Sequence, residues 1–233
     1  MSYNGTGLGA GLRRFRRSVA PSATYAIIAI TLLVFLLQLI PFLGVTDGLQ
    51  FAGAYVYAGS GAFEPWRLLT VSLVHSTSSP FHILFNMVFL WLMGRQVESM
   101  LGPARFVALY LIATLGGSVA VLYLAPLGQP VVGASGAIYG LLATFFVIAR
   151  KSGGNTTGLV ILIGINLVFS FVTASISWQG HLGGLITGGL VAWVLVQTPR
   201  RTQRQRQFLL LGAIVAGLIA LTALRSLLPV QLL

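Results

Sequence analysis

The sequence predicts an all-α, polytopic membrane protein with one domain, on three observations. Apolar residues make up 56% of the 233 and only 7% are charged, against roughly a quarter charged in a soluble domain. Apolar stretches approaching the ~20 residues a transmembrane helix needs recur along the whole chain. The basic residues are segregated: with spans alternating from a cytosolic N-terminus, all of the 14 Lys and Arg except Arg67 and Arg225 fall inside. That asymmetry is the positive-inside rule. It explains the net charge of +11 without a nucleic-acid partner, and leaves attraction to anionic lipid as a secondary contribution.

Taken in order, residues 1–23 form a basic cytosolic tail carrying Arg13, Arg14, Arg16 and Arg17. The first span, Thr24–Leu43, is too long for a signal-peptide core and has no small-x-small cleavage site after it, so it reads as a retained helix. Residues 44–79 form an external connection, too long for a turn. Phe51, Tyr55, Tyr57, Phe63 and Trp66 make it too apolar to float in water, and Trp and Tyr favour the bilayer interface. It is expected to lie partly in the outer leaflet, a disordered loop being the alternative. Further spans follow at His82–Leu101, Phe106–Ala125, Ser135–Ile148, Leu159–Thr173, Gly180–Gln197 and Phe208–Leu224. Lys151–Gly158 is a cytosolic turn, and Arg200, Arg201, Arg204 and Arg206 lie between the last two spans. The absence of cysteine excludes thiol nucleophiles, thiolate metal sites and disulfides. No internal repeat suggests a two-fold transporter.

Polar side chains in hydrocarbon are costly, so each one inside a span is a functional candidate. The stretch VGASGAIYG, Val132–Gly140, starts as loop and becomes helical at Ser135. From Ser135 to Arg150 is about 22 Å of helix, in a hydrocarbon core about 30 Å thick. With Arg150 at the inner edge, Ser135 lies roughly 8 Å below the outer edge. Non-helical backbone there implies surrounding protein or a hydrated cavity. The amide of Ser135 lacks an intrahelical partner and sits at the positive end of the helix dipole, which suits an oxyanion site. A small serine at a helix interface is the alternative on this stretch alone.

His181 stands in WQGHLGGLITGG at the start of another span, entering from the same outer side. Gly180, Gly184 and Gly188 repeat at i, i+4 and i+8, and Gly136 and Gly140 do the same on the serine helix. Small faces let two helix backbones approach closely, as a direct Ser–His hydrogen bond requires. A structural histidine bonded to a carbonyl is the alternative. In PFHILFNM, Pro80–Met87, His82 and Asn86 are one turn apart on one face and offer donors for a developing oxyanion. His75 precedes His82 by seven residues, but no HExxH and no nearby carboxylate complete a metal site.

Asp47, Glu64 and Glu98 are the only acids. Asp47 is the sole aspartate, so an aspartyl dyad is impossible. Glu98, near the inner end of its span, is expected to pair with Arg95. None of the three is placed to orient His181, so the nucleophilic system is expected to be a Ser–His dyad rather than a triad.

These residues resemble the rhomboid family of intramembrane serine proteases over roughly Pro65–Val196. The likeness rests on WR at Trp66–Arg67, HILFN at His82–Asn86, GRQVESMLGPARF at Gly94–Phe106, GASGAIYG at Gly133–Gly140 and GHLGG at Gly180–Gly184. It implies a nucleophile at Ser135, a base at His181, oxyanion donors at His82, Asn86 and the Ser135 amide, and Tyr139 packed on the histidine. Gly180 stands where the family usually has alanine. The resemblance further implies a six-helix core over residues 24–205, an additional C-terminal transmembrane helix over 206–233, and no cofactor. The expected substrates are single-pass membrane proteins, cleaved near the outer face of a bacterial inner membrane. The rival readings are a catalytically inactive relative that binds membrane proteins and a small transporter.

Overall fold

Pro41 stops the first apolar stretch earlier than its hydrophobicity suggests. The computed structural model describes residues 21–173 and 176–228; most of the basic tail, with Arg13 to Arg17, lies outside them. Helix α1 is Ser22–Gln38, not Thr24–Leu43. Ile40, restrained by the following proline, is extended, and Gly44 adopts the left-handed region at φ 58°. The chain bends by 106° there into Pro41–Leu49.

Each remaining predicted span matches a helix. Helix α2 runs as Pro80–Phe89, a π-helical turn Leu90–Gly94, and Arg95–Leu101. Then follow α3 (Pro103–Leu124), α4 (Ser135–Lys151), α5 (Thr157–Val172), α6 (Trp178–Gln197) and α7 (Arg204–Leu227). Among the described residues there is no strand, only an isolated bridge between Phe51 and Val131. Helices α3 and α6, and α7 with its lead-in Arg201–Gln203, are each long and apolar enough to cross a membrane. This is an all-α polytopic membrane fold.

Helices α3, α4 and α6 form the centre. Phe106, Leu109, Leu141 and Val191 are fully enclosed there. Missing side chains let the three helices touch: a Cβ on Gly184 would overlap the Gly136 carbonyl, one on Gly188 the Gly140 backbone, and one on Gly183 the Gly116 carbonyl. The expected faces of α4 and α6 therefore do meet. Gly180 differs, since a Cβ there would make only ordinary contacts with Ser177 and Val121. What Gly180 brings to α4 is its carbonyl, 3.2 Å from where a Gly136 Cβ would stand.

The expected Glu98–Arg95 pair is not formed. Arg95 instead lies 4.3 Å over the Trp91 ring. The Glu98 carboxylate is fully buried and accepts from the Ala23 and Thr24 amides at 2.9 and 2.7 Å and from the Thr24 hydroxyl at 2.6 Å. The first turn of α1 has unpartnered N–H groups and a positive dipole end, and the buried carboxylate satisfies both. Glu98→Gln removes the charge and one good acceptor. It should cost about 1.5–3 kcal/mol of stability, the range for a hydrogen bond to a charged group. Thermal unfolding in detergent checks this, and the rate per folded molecule should stay within about tenfold of wild type, since a loss near the ~10⁴ scale of a triad acid would make Glu98 catalytic.

The 44–79 connection is ordered. Arg67 anchors it, with its guanidinium 3.8 Å over Tyr55, paired with Glu64 and donating to the carbonyls of Asp47 and Gln50. Phe51 and Val56 are buried against Val121, Leu122 and Ala125, while Phe63 and Trp66 are exposed. Helix α7 packs along the edge of α3 and α6 and is otherwise exposed. Its polar anchor is buried Gln207, which donates to the carbonyl and hydroxyl of Thr198 at 2.9 and 2.8 Å and accepts from Arg105 at 3.1 Å. Near its other end, Tyr123 donates to the Leu221 carbonyl at 2.8 Å.

Candidate active site

The chain reaches Ser135 through a segment stitched to the external connection. Val131 and Phe51 exchange backbone hydrogen bonds, and the Gly133 amide donates to the Val71 carbonyl at 3.0 Å. Gly133 has φ 123°, a conformation other residues rarely adopt. A side chain at Gly133 would also crowd the His82 ring, 3.0 Å from the Cβ position. Helix α4 begins at Ser135 with no side-chain cap, which leaves the amides of its first turn without intrahelical partners.

His82 is oriented by the backbone. Its Nδ1 accepts from the Ser76 amide at 3.1 Å. In the neutral ring Nε2 then carries the proton, and it lies 3.0 Å from the Gly133 Cβ position, which is itself 3.7 Å from Ser135 Oγ. Asn86 donates from Nδ2 to the His82 carbonyl at 2.8 Å. One Nδ2 proton remains uncommitted, and Oδ1 is buried without a partner.

His75 belongs to the support beneath His82, with ring centroids 5.3 Å apart. Burial first, and then the neighbouring His82, push its imidazole down to about 3. The neutral ring can therefore accept the Ala134 amide on Nε2, at 3.4 Å. Its backbone is held from both sides by the Gln38 amide of α1, at 2.9 Å each.

His181 sits in the first turn of α6, where Ser177 caps the helix by accepting the Gly180 amide at 3.2 Å. Only 7% of His181 is exposed. Tyr139, one turn after Ser135, stacks on it with centroids 4.3 Å apart and planes 17° apart. On the Nδ1 side stands Ser170 of α5, its Oγ 2.8 Å away and 2% exposed. Ser170 was not among the sequence-based candidates. Asn166 and Ser170, at i and i+4, are the polar positions of ILIGINLVFSFV, and that spacing was the available signal.

Ser135, His82, Asn86, Tyr139, Ser170 and His181 line one cavity of about 650 Å³. Phe85 and Phe89 of α2 and Asn166 and Phe169 of α5 also line it. Among the described residues no hydrogen bond runs directly between Ser135 Oγ and His181. With Nδ1 facing Ser170, Nε2 is the ring nitrogen left for chemistry. A hydroxyl, an imidazole and several N–H donors around one cavity are the parts of an acyl-transfer site.

The sequence model of the family described as a Rhomboid domain matches residues 62–198. Rhomboid protease GluP of Bacillus subtilis (strain 168) is 38% identical over 181 residues, covering 75% of this chain and 35% of GluP. A putative rhomboid protease of the same bacterium, YdcA, is 35% identical over 59% of this chain and 71% of its own length. Rhomboid protease GlpG of Klebsiella pneumoniae is 31% identical over 73% of this chain and 62% of its own length. The match thus spans about a third of GluP and about two thirds of the other two.

Proposed function

This chain belongs to the rhomboid family, and we propose that it is an intramembrane serine endopeptidase working through a Ser135–His181 dyad. The observation that carries the reading is the shared cavity, which sets the serine beside an imidazole whose Nε2 is free and beside the Nε2–H of His82. His181 Nε2 takes the proton from Ser135 Oγ as the oxygen attacks the scissile carbonyl. The oxyanion is bonded by His82 Nε2–H, Asn86 Nδ2–H and the Ser135 amide. The imidazolium then protonates the leaving amine, and water resolves the acyl-enzyme by the same route.

The substrates are single-pass membrane proteins. Their helices hide each carbonyl in an i→i−4 bond, so the cleaved segment must unwind before attack. The distribution of Lys and Arg supports a cytosolic N-terminus and, with it, a cavity mouth toward the outer face; the membrane in this reading is a bacterial inner membrane. No cofactor enters these steps, and the lipid bilayer is the medium of the fold.

The missing Ser135–His181 hydrogen bond favours a second reading, a family member that binds membrane proteins without cleaving them. In unliganded sites such bonds often tighten only when substrate is bound, so the bond's absence does not decide the matter. A fluorophosphonate probe does. The wild-type chain in detergent should be labelled at Ser135, located by peptide mapping, and should cleave a single-pass substrate in liposomes. A folded chain that takes no label and cuts nothing would support the binding role instead.

A further inference from the structure

We propose that Ser170 is the positioning residue that selects the Nδ1–H tautomer of His181, taking the place a carboxylate holds in a soluble serine protease. The inference rests on the protease reading for its consequence but not for its geometry. Ser170 Oγ lies 2.8 Å from two atoms, His181 Nδ1 and the Asn166 carbonyl oxygen. A serine hydroxyl has one proton and can accept two hydrogen bonds. The carbonyl can only accept, so the hydroxyl proton goes to Asn166, in the i→i−4 back-bond open to serine within a helix. The contact with Nδ1 then requires the proton to sit on the imidazole. Nδ1–H donates to Ser170, and Nε2 is left with its lone pair facing the cavity, which is the tautomer a general base needs.

The same arrangement serves the charged step. When Nε2 takes the proton from Ser135, the ring becomes a cation with two N–H donors. Nδ1–H keeps its acceptor, whose own proton already points away toward a carbonyl. Positive charge is thereby met by two aligned neutral dipoles rather than by an anion. A permanent carboxylate at this depth would itself need a partner, and none of the three acids of the chain lines the cavity. Tyr139 fixes the plane of the ring by stacking, but stacking is indifferent to which nitrogen is protonated. Ser170 supplies that missing selection.

The test reads the tautomer directly. The full chain, labelled with ¹⁵N-histidine and held in lipid nanodiscs, carries three histidines, and the His181 signals are those lost in His181→Gln. In the wild type Nδ1 should be the protonated nitrogen of neutral His181, and in Ser170→Ala the population should move toward Nε2–H. Kinetically, Ser170→Ala should lower kcat by about 10- to 100-fold, the weight of one hydrogen bond to a group that becomes charged, with KM little changed. Ser170→Thr restores the hydroxyl and should recover most of the lost kcat. A wild-type His181 protonated on Nε2 would overturn the proposal, as would an unchanged tautomer ratio or an unchanged kcat in a folded Ser170→Ala chain. The wild-type spectrum alone keeps it testable should the variants fold poorly. Failure of the protease reading would show differently, as a wild-type chain that takes no fluorophosphonate and cleaves nothing whatever its tautomer.

Discussion

Ser135→Ala and His181→Ala should each abolish cleavage of a reconstituted single-pass substrate, on the scale of about 10⁶-fold in kcat seen when a nucleophile or its base is removed from a serine protease. The serine variant should be otherwise close to wild type. Ser135 provides no side-chain cap to α4, and among the described residues its Oγ holds no hydrogen bond whose loss would strand a partner. His181→Ala is expected to be less stable as well as inactive. It removes the ring that stacks on Tyr139 and leaves Ser170 Oγ without its imidazole neighbour. Initial rates in liposomes, corrected for folded protein by thermal unfolding, separate the two effects. Substantial cleavage by Ser135→Ala, in a preparation free of other proteases, would sink the assignment of the nucleophile.

The second large effect needs no contact with substrate. Gly184→Val, and even Gly184→Ala, should unseat α6 from α4. A Cβ at Gly184 would overlap the carbonyl oxygen, carbonyl carbon and Cα of Gly136 together. Those are backbone atoms of a central helix and cannot swing aside as a side-chain tip can. Overpacking of this kind costs about 1–3 kcal/mol and occasionally more. Here it also widens the gap between the helix that carries Ser135 and the one that carries His181, so activity should fall further than stability. Gly180→Ala is the matched control on the same helix. Its Cβ would meet Ser177 Oγ at 3.4 Å and Val121 at 3.6 Å, both ordinary contacts, and its activity and unfolding temperature should stay near wild type. Wild-type activity and stability in Gly184→Ala would refute the close-approach account.

The contrast between these two glycines marks a boundary of what the sequence conveys. The i, i+4, i+8 repeat at 180, 184 and 188 pointed to a bare helix face and a close neighbour. It could not say that Gly184 and Gly188 meet the Gly136 and Gly140 backbones while Gly180 turns a carbonyl toward α4. That depends on the crossing of two helix axes and on where along each axis contact occurs.

Hydrophobicity, the distance along the helix from Ser135 to Arg150, and the one-turn spacing of His82 and Asn86 are local or periodic quantities, written along the chain. By itself the sequence determined the all-α membrane class and the approximate place of the long helices among the described residues, the end of the first excepted, and it pointed to Ser135, His181, His82, Asn86 and Tyr139 as candidates; it did not foresee the short helices Val45–Leu49 and Arg67–Thr70 inside the external connection. Tertiary structure alone decided the partners. Arg95, three residues before Glu98, was the obvious choice by sequence distance, yet the carboxylate caps α1 some 75 residues away, because unpaired amides at a helix end need an acceptor more than a half-buried arginine stacked on Trp91 needs an anion. Ser170, on a helix whose only other interior polar residue is Asn166, reads as a tolerated serine until α5 and α6 fold back on each other. Their packing brings its Oγ to 2.8 Å from His181 Nδ1, and a hydrogen bond is chosen by distance and direction in space, which the order of residues along the chain does not carry.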